Sequence, residues 1–198
     1  MDARLVAWAR AIRARGKIGR RSALPCLWLF TDTQRLADPR EAVARLPRGL
    51  AGVVLRHDGH PDRPRLARDL ARLCRARRLA LVIAGDARLA ARVGAGVHLR
   101  GGRWPGPLHW RGGWTTSSAH NASELRRARR SGADLVFLSP AFATASHPDA
   151  PALGAVRWVV LARFARLPVA ALGGMDGAVV RRLPRGLCCA VGAIGALI

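Results

Sequence analysis

The chain sets its chemically capable side chains at or just past the ends of short apolar runs. Asp32 follows one run, Arg56 and His57 the next, and Asp86 the third. His98 lies inside the fourth run, and Ser118 and His120 follow the fifth. Thr144, Ser146 and His147 fall in the loop after the sixth; Gly173-Gly174 closes the seventh and Gly192-Ala193 the eighth. Imidazole suits proton transfer near neutral pH, which marks His120, with Ser118 beside it, as the candidate acid/base. A guanidinium such as Arg56 can grip a phosphate or carboxylate with two parallel hydrogen bonds. Small residues after a strand let backbone N–H groups approach an anion without Cβ interference. Gly173, Gly174, Gly192 and Ala193 therefore form a candidate phosphate cradle, with Thr144 as a further binding candidate. Glycines there also serve ordinary tight turns, and that reading stays open at this stage.

These residues meet only if the runs are strands of one sheet. Apolar runs alternate with helical patterns throughout. A helix is expected over 2–15 and a strand over 24–30. Asp38-Pro39-Arg40-Glu41 then opens a helix, with an N-cap and Pro in the first turn. Next come a strand over 51–56, a loop through Pro64, a helix over 65–77 and a strand over 79–84. A helix over 87–93 and a strand over 95–99 follow, then a loop over 100–112 with four glycines and two prolines. The remaining units are a strand over 113–117, a helix over 124–131 capped by Asn121 or Ser123, and a strand over 133–138. A loop over 139–151 and a helix over 153–166 lead to a strand over 167–172. Asp176 caps a helix over 177–183 before a last strand over 187–191. Eight βα units predict one (β/α)8 TIM barrel with functional loops at the carboxyl ends of the strands. Residues 1–198 form a single domain, with a helical extension over 1–23 and the barrel over 24–195. The fourth helix is reduced and the eighth truncated, so sheet face is left for the N-terminal helix or a partner subunit to cover; a homo-oligomer is expected.

Composition narrows the class. At 198 residues the chain suits one domain with a sizeable core. No apolar run approaches the ~20 residues of a membrane span, and the start lacks a secretory signal pattern. The four cysteines form no CxxC pair, which predicts reduced thiols in a cytoplasmic protein. The formal charge of +22 is nearly all arginine, since Lys17 is the only lysine. Those arginines are spread over every expected helix without interleaved aromatics or a zinc or RNP signature. Solvated helix faces, not specific nucleic-acid binding, are the expected outcome.

Read together, seven segments resemble a known family. They are Leu29-Phe30-Thr31-Asp32, Val54-Leu55-Arg56, Gly94-Ala95-Gly96-Val97-His98-Leu99, Ser118-Ala119-His120, Ser139-Pro140-Ala141-Phe142-Ala143-Thr144, Ala171-Leu172-Gly173-Gly174-Met175 and Ala190-Val191-Gly192-Ala193-Ile194. In this order, with Gly132-Ala133-Asp134 between, they are similar to the thiamine phosphate synthase/TenI family of TIM barrels over roughly residues 24–195. The resemblance implies a thiazole phosphate held by Gly173-Gly174 and Gly192-Ala193.

The departures are as informative. The synthase branch couples a pyrimidine pyrophosphate to thiazole phosphate and uses Mg²⁺ on the departing pyrophosphate. Its Gln-x-Arg-x-Lys motif is reduced here to Arg56 within Val54-Leu55-Arg56-His57-Asp58. Its Asn-Asp-Arg motif is replaced by Ala84-Gly85-Asp86, and its second metal carboxylate by Arg100-Gly101-Gly102-Arg103. Its Thr-x-Thr-Lys lysine is His147. A hard Mg²⁺ ion needs oxygen ligands, so no metal site is expected unless Asp86 or Asp58 rebuilds one. The TenI branch includes thiazole tautomerases, which need no metal and use the histidine of a Ser-x-His motif; that motif is intact. The resemblance thus implies a thiazole phosphate protein with His120 proton transfer, assisted by a cation such as Arg56, Arg103 or His147. An active synthase with a rebuilt Mg²⁺ site and a non-catalytic phosphate-binding barrel are the alternatives.

Overall fold

Eight apolar runs become eight parallel strands that pair in chain order and close on themselves. They are β1 (Leu27–Phe30), β2 (Ala51–Leu55), β3 (Ala80–Ala84), β4 (Gly96–Leu99), β5 (Thr115–Ala119), β6 (Leu135–Leu138), β7 (Val169–Leu172) and β8 (Cys188–Ala193). The computed structural model describes residues 1–15, 24–144 and 151–198. Strands covered on both faces need apolar side chains on both, and β1, β2, β4 and β6 are buried at every position. The fold is a (β/α)8 barrel.

Bulky rings on β1 fill the barrel axis. Phe137 meets Trp28 and Phe30 edge to face, with ring centroids 5.7 and 4.8 Å apart. Glycine on the flanking strands makes the room. Trp28 is paired with Gly52 on β2 and Gly192 on β8. A Cβ on Gly52 would lie 2.6 Å from the Trp28 ring, and one on Gly192 2.8 Å from Phe30. Gly192 and Ala193 are therefore the last residues of β8, not the loop after it.

The outer layer consists of α1 (Ala3–Arg15), α2 (Arg40–Arg45), α3 (Arg63–Ala76), α4 (Ala87–Val93), α5 (Ala122–Arg130) and α6 (Gly154–Ala165). In α3, Leu66, Ala67, Leu70, Ala71 and Cys74 bury one face, and arginines occupy the other. This helix starts before the expected position 65. Asp62 accepts from the Arg65 N–H and Pro64 sits in the first turn, where its missing N–H costs nothing. Asn121, not Ser123, caps α5 through the Glu124 N–H. β5 lies two residues later than expected, so Ser118 belongs to the strand itself. Gly113 instead packs against Gly96, where a Cβ would lie 2.7 Å from the Gly96 nitrogen.

The outer ring is incomplete in three places. No helix follows β4; residues 100–114 form a loop, with Trp104 and Trp110 packed on the core and the Trp110 indole N–H donating to the Ala95 carbonyl at 2.6 Å. The helix expected over 177–183 is a 3₁₀ turn, Val179–Arg182, though Asp176 still accepts from the N–H groups of Ala178 and Val179. After β8 stands only the 3₁₀ turn Gly195–Leu197. Here α1 closes the gap against β8 with Leu5, Val6, Trp8 and Ala9. The Asp2 N–H donates to Ala196 and its carboxylate accepts from the Gly177 N–H at 2.7 Å, tying α1 to both turns. Val156, Val160 and Phe164 leave an exposed apolar strip on α6.

All four cysteines are free; burial raises the thiol of Cys26, and that of Cys74 to about 12. No helix among the described residues is long and apolar enough to cross a membrane.

Candidate active site

The carboxyl ends of the strands open on a cavity of about 1620 Å³. Ser118, His120, Arg56, Thr144, Gly173, Gly174, Gly192 and Ala193 all line it, so the barrel gathers residues separated by up to 137 positions (193 − 56) into one mouth. His147 and Ser146 lie outside the described residues.

His120 stands between β5 and α5 and is half exposed. Its ring Nδ1 lies 2.9 Å from Glu124 Oε2, and its backbone N–H donates to the same oxygen at 2.9 Å. An ionised carboxylate only accepts, so Nδ1 carries a hydrogen, and the neutral form of the ring has its lone pair on Nε2. Burial works to raise the Glu124 carboxyl, but the hydrogen bonds and charge of His120, with the Arg127 charge, hold it below the usual range. Ser118 Oγ accepts from the Gly101 N–H at 3.1 Å and so fixes the loop after β4 beside His120. Glu124 was not among the residues singled out from sequence. Its signal was present: Asn121-x-x-Glu124 has the spacing of a capping box, and His120 precedes it.

Of the other three candidate histidines, His57 and His98 lie within the described residues and have different fates. His57 is fully buried: Thr31 Oγ1 lies 2.8 Å from its Nδ1, and its Nε2–H points at the carbonyls of Leu36 and Ala37. It ties the loop after β1 to β2 and does not line the cavity. His98 forms part of the cavity floor, edge-on to Phe30 and 2.9 Å from Thr116 Oγ1. Burial, with the nearby positive Arg56 and Arg100, pushes it down to about 3. Both rings are held neutral in the fold and protonate more readily in the unfolded chain. Folding stability therefore falls as pH drops below about 6.5, by up to about 1.4 kcal/mol per pH unit for each ring. Denaturant melts at pH 6.5 and 5 should show this loss, and His98→Gln should remove one ring's share of it.

Two sides of the mouth differ in chemistry. On the β7–β8 side, Gly173 (φ +92°) and Gly174 (φ +63°) turn under the loop after β6. A Cβ at Gly174 would lie 2.3 Å from the Ala143 carbonyl oxygen. Tight packing thus requires glycine here whatever the ligand. The Arg182 guanidinium lies 4.8 Å above the Phe142 ring at the same side and was not foreseen.

The β2–β4 side is a lattice of arginines and carboxylates. Arg56 Nη2 reaches Asp32 at 3.1 Å and its Nε–H donates to the Thr31 carbonyl at 3.0 Å. Burial lowers the Arg56 pKa, and Asp32 and Asp58 oppose that. Arg63, only 13% exposed, pairs with Asp58 at 3.1 Å and Asp86 at 3.7 Å. Arg100 takes the other oxygen of Asp58. Asp86 also caps α4 through the Leu89 N–H. Not every arginine is therefore a solvated helix charge: Arg63 and Arg127, which donates to the Gly101 carbonyl at 2.7 Å, help build the mouth.

These contacts decide whether Mg²⁺ fits. The Asp32, Asp58 and Asp86 carboxylates are each engaged by arginine, and the ion would sit among those guanidinium charges. No cluster of three or more His, Cys, Asp or Glu suited to a metal exists among the described residues. The donor set does not fit a hard divalent cation.

Comparison with known proteins agrees with the architecture. The profile of the thiamine monophosphate synthase family, TMP-TENI, matches residues 27–194. An Aquifex aeolicus (strain VF5) protein, provisionally named thiamine-phosphate synthase 2, is 31% identical over 160 residues, covering 77% of this chain and 86% of that one. The thiamine-phosphate synthase of Parasynechococcus marenigrum (strain WH8102) is 34% identical over 163 residues, covering 76% of this chain and 45% of its own. The structure of a thiamine phosphate pyrophosphorylase from Pyrococcus furiosus superposes with a TM-score of 0.72 at 22% identity, over 90% of this chain and 89% of that one, which shows a shared fold. The profile match runs from the start of β1 to the residue after β8, and the chain belongs to the thiamine monophosphate synthase family.

Proposed function

We propose that this family member acts in thiamine biosynthesis by moving a proton on a thiazole phosphate without a metal. The observation that carries the reading is the His120–Glu124 pair at the mouth. Glu124 holds Nδ1–H and leaves Nε2 as the base. Neutral His120 accepts a proton from one ligand carbon, and the resulting imidazolium returns it to another; composition and oxidation level are unchanged. Glu124 is the natural partner of that transient cation. The ligand phosphate is assigned to the β7–β8 side, at Gly173, Gly174, Gly192, Ala193 and Thr144, with Arg182 adding charge. Arg56, just past β2, lines the same cavity.

Glu124 is a positioning residue in this scheme. Glu124→Gln is expected to lower kcat about tenfold, within the range for losing an orienting partner, with KM within about twofold. Equal damage to both constants would mean that Glu124 merely supports the loop.

Synthase chemistry is the second reading, favoured by the names of the two curated relatives. Assays on metal-stripped protein separate the two. Isomerisation of a thiazole carboxylate phosphate in EDTA supports proton transfer. Thiamine phosphate formed from the pyrimidine pyrophosphate and thiazole phosphate, only with Mg²⁺, supports the synthase. A barrel that binds phosphate and turns over neither set would be a binding protein.

A further inference from the structure

The acids at the β2–β4 side are bound internally, and what occupies the centre of that side is a guanidinium. Gly85 follows β3 with φ +67°, at the position where the resemblance implies the aspartate of Asn-Asp-Arg. A Cβ placed on Gly85 would meet Arg100 Cζ at 3.3 Å and its Nη2 at 3.4 Å. The Arg100 guanidinium therefore rests on bare backbone where a carboxylate side chain would otherwise begin. After β4, Arg100 and Arg103 stand where the resemblance implies a second metal carboxylate. Positive charge at this rim is carried by the chain's own arginines.

We propose that this side of the mouth is a metal-free oxyanion site. In it Arg100, seated on Gly85, and Arg56 hold a second anionic group of carboxylate or phosphate type. The proposal deepens the reaction reading above by naming its ligand class: a small molecule with two separate anionic ends. Phosphate lies by β7 and β8, and the second anion lies against the arginines. Planar guanidinium groups match such oxyanions with paired N–H donors and need no inner-sphere oxygen ligands. Asp58 is the resident counter-ion. It holds Arg100 through one oxygen and Arg63 through the other, and it is half exposed, so a ligand oxyanion can take its place on Arg100.

This arrangement gives Asp58 an effect of opposite sign to that of a metal ligand. The probe is inorganic pyrophosphate, titrated calorimetrically into full-length protein in EDTA and again in Mg²⁺. Binding in EDTA is expected. Asp58→Asn should tighten it about fivefold, the scale of one charge pair in a wet site. Arg100→Ala should weaken it about tenfold or more, the scale of a charged hydrogen bond. Both side chains are at least half exposed, so neither change threatens the core. Binding that requires Mg²⁺ overturns the proposal, as does an Asp58→Asn affinity that falls or stays level. The readout involves no turnover. A protein that shows these shifts but never isomerises a thiazole would sink the reaction reading and keep this one.

Discussion

Alanine at position 120 is expected to lower isomerisation of a thiazole carboxylate phosphate by about 10²–10⁴-fold, the range for removing a general acid/base. The substitution takes away the only imidazole that combines a place in the cavity lining with a carboxylate on Nδ1, among the described residues. His98 also lines the cavity, but it sits in the floor among aromatic rings and is pushed down to about 3, which leaves it no useful protonated form near neutral pH. Binding of thiazole phosphate should change by less than about threefold, because the phosphate is assigned to the opposite side of the mouth. Stability should also hold, since His120 is exposed and the Asn121 cap on α5 is untouched. Unchanged turnover in His120→Ala would remove proton transfer through this residue from the account.

Alanine at position 174 is expected to remove phosphate binding by a different route. Gly174 adopts φ +63°, where an L side chain is strained by about 1–2 kcal/mol. The added Cβ would also strike the Ala143 carbonyl oxygen at 2.3 Å and the Phe142 carbonyl carbon at 2.9 Å. Backbone cannot rotate away as a flexible side chain can. The loop after β6 must shift, carrying Phe142 and Thr144 with it, and the expected cost is about 2–5 kcal/mol of stability in all. Affinity for thiazole phosphate should drop at least about tenfold. Gly195→Ala is the matched control: it lines the same cavity, but its Cβ would meet nothing within 4 Å. Equal behaviour of the two variants would separate the cradle from the glycine geometry.

The eight strands were legible because each is a short apolar run, a pattern that both faces of a closed parallel sheet impose. Boundaries slipped where polar or glycine residues belong to strands. β5 is Thr-Thr-Ser-Ser-Ala, and β8 runs through Gly192 because Phe30 needs the space; neither fact depends on neighbours in sequence. The 3₁₀ turn at Val179–Arg182 reads as a full helix in sequence, since Asp176 caps the two equally well. The sequence left the N-terminal helix and a partner subunit as alternatives for covering the missing eighth helix; that α1 does so follows from contacts of Asp2 with residues 175 or more positions away, which no local pattern encodes. In the site, Ser118-Ala119-His120 and the glycine pairs were visible as motifs. Glu124 was hidden in a capping pattern, and Arg63 and Arg100 among many similar arginines. Their roles come from which carboxylate each one meets. His57 illustrates the converse: its position past a strand end suggests chemistry, yet its three hydrogen-bond partners bury it as a tie between loops.

The most direct test of the central claim is turnover of a thiazole carboxylate phosphate by metal-stripped protein in EDTA and D₂O, followed by NMR. The account predicts isomerisation at full rate, with solvent deuterium entering the product through His120. No reaction in EDTA, together with Mg²⁺-dependent formation of thiamine phosphate from the pyrimidine pyrophosphate and thiazole phosphate, would contradict it.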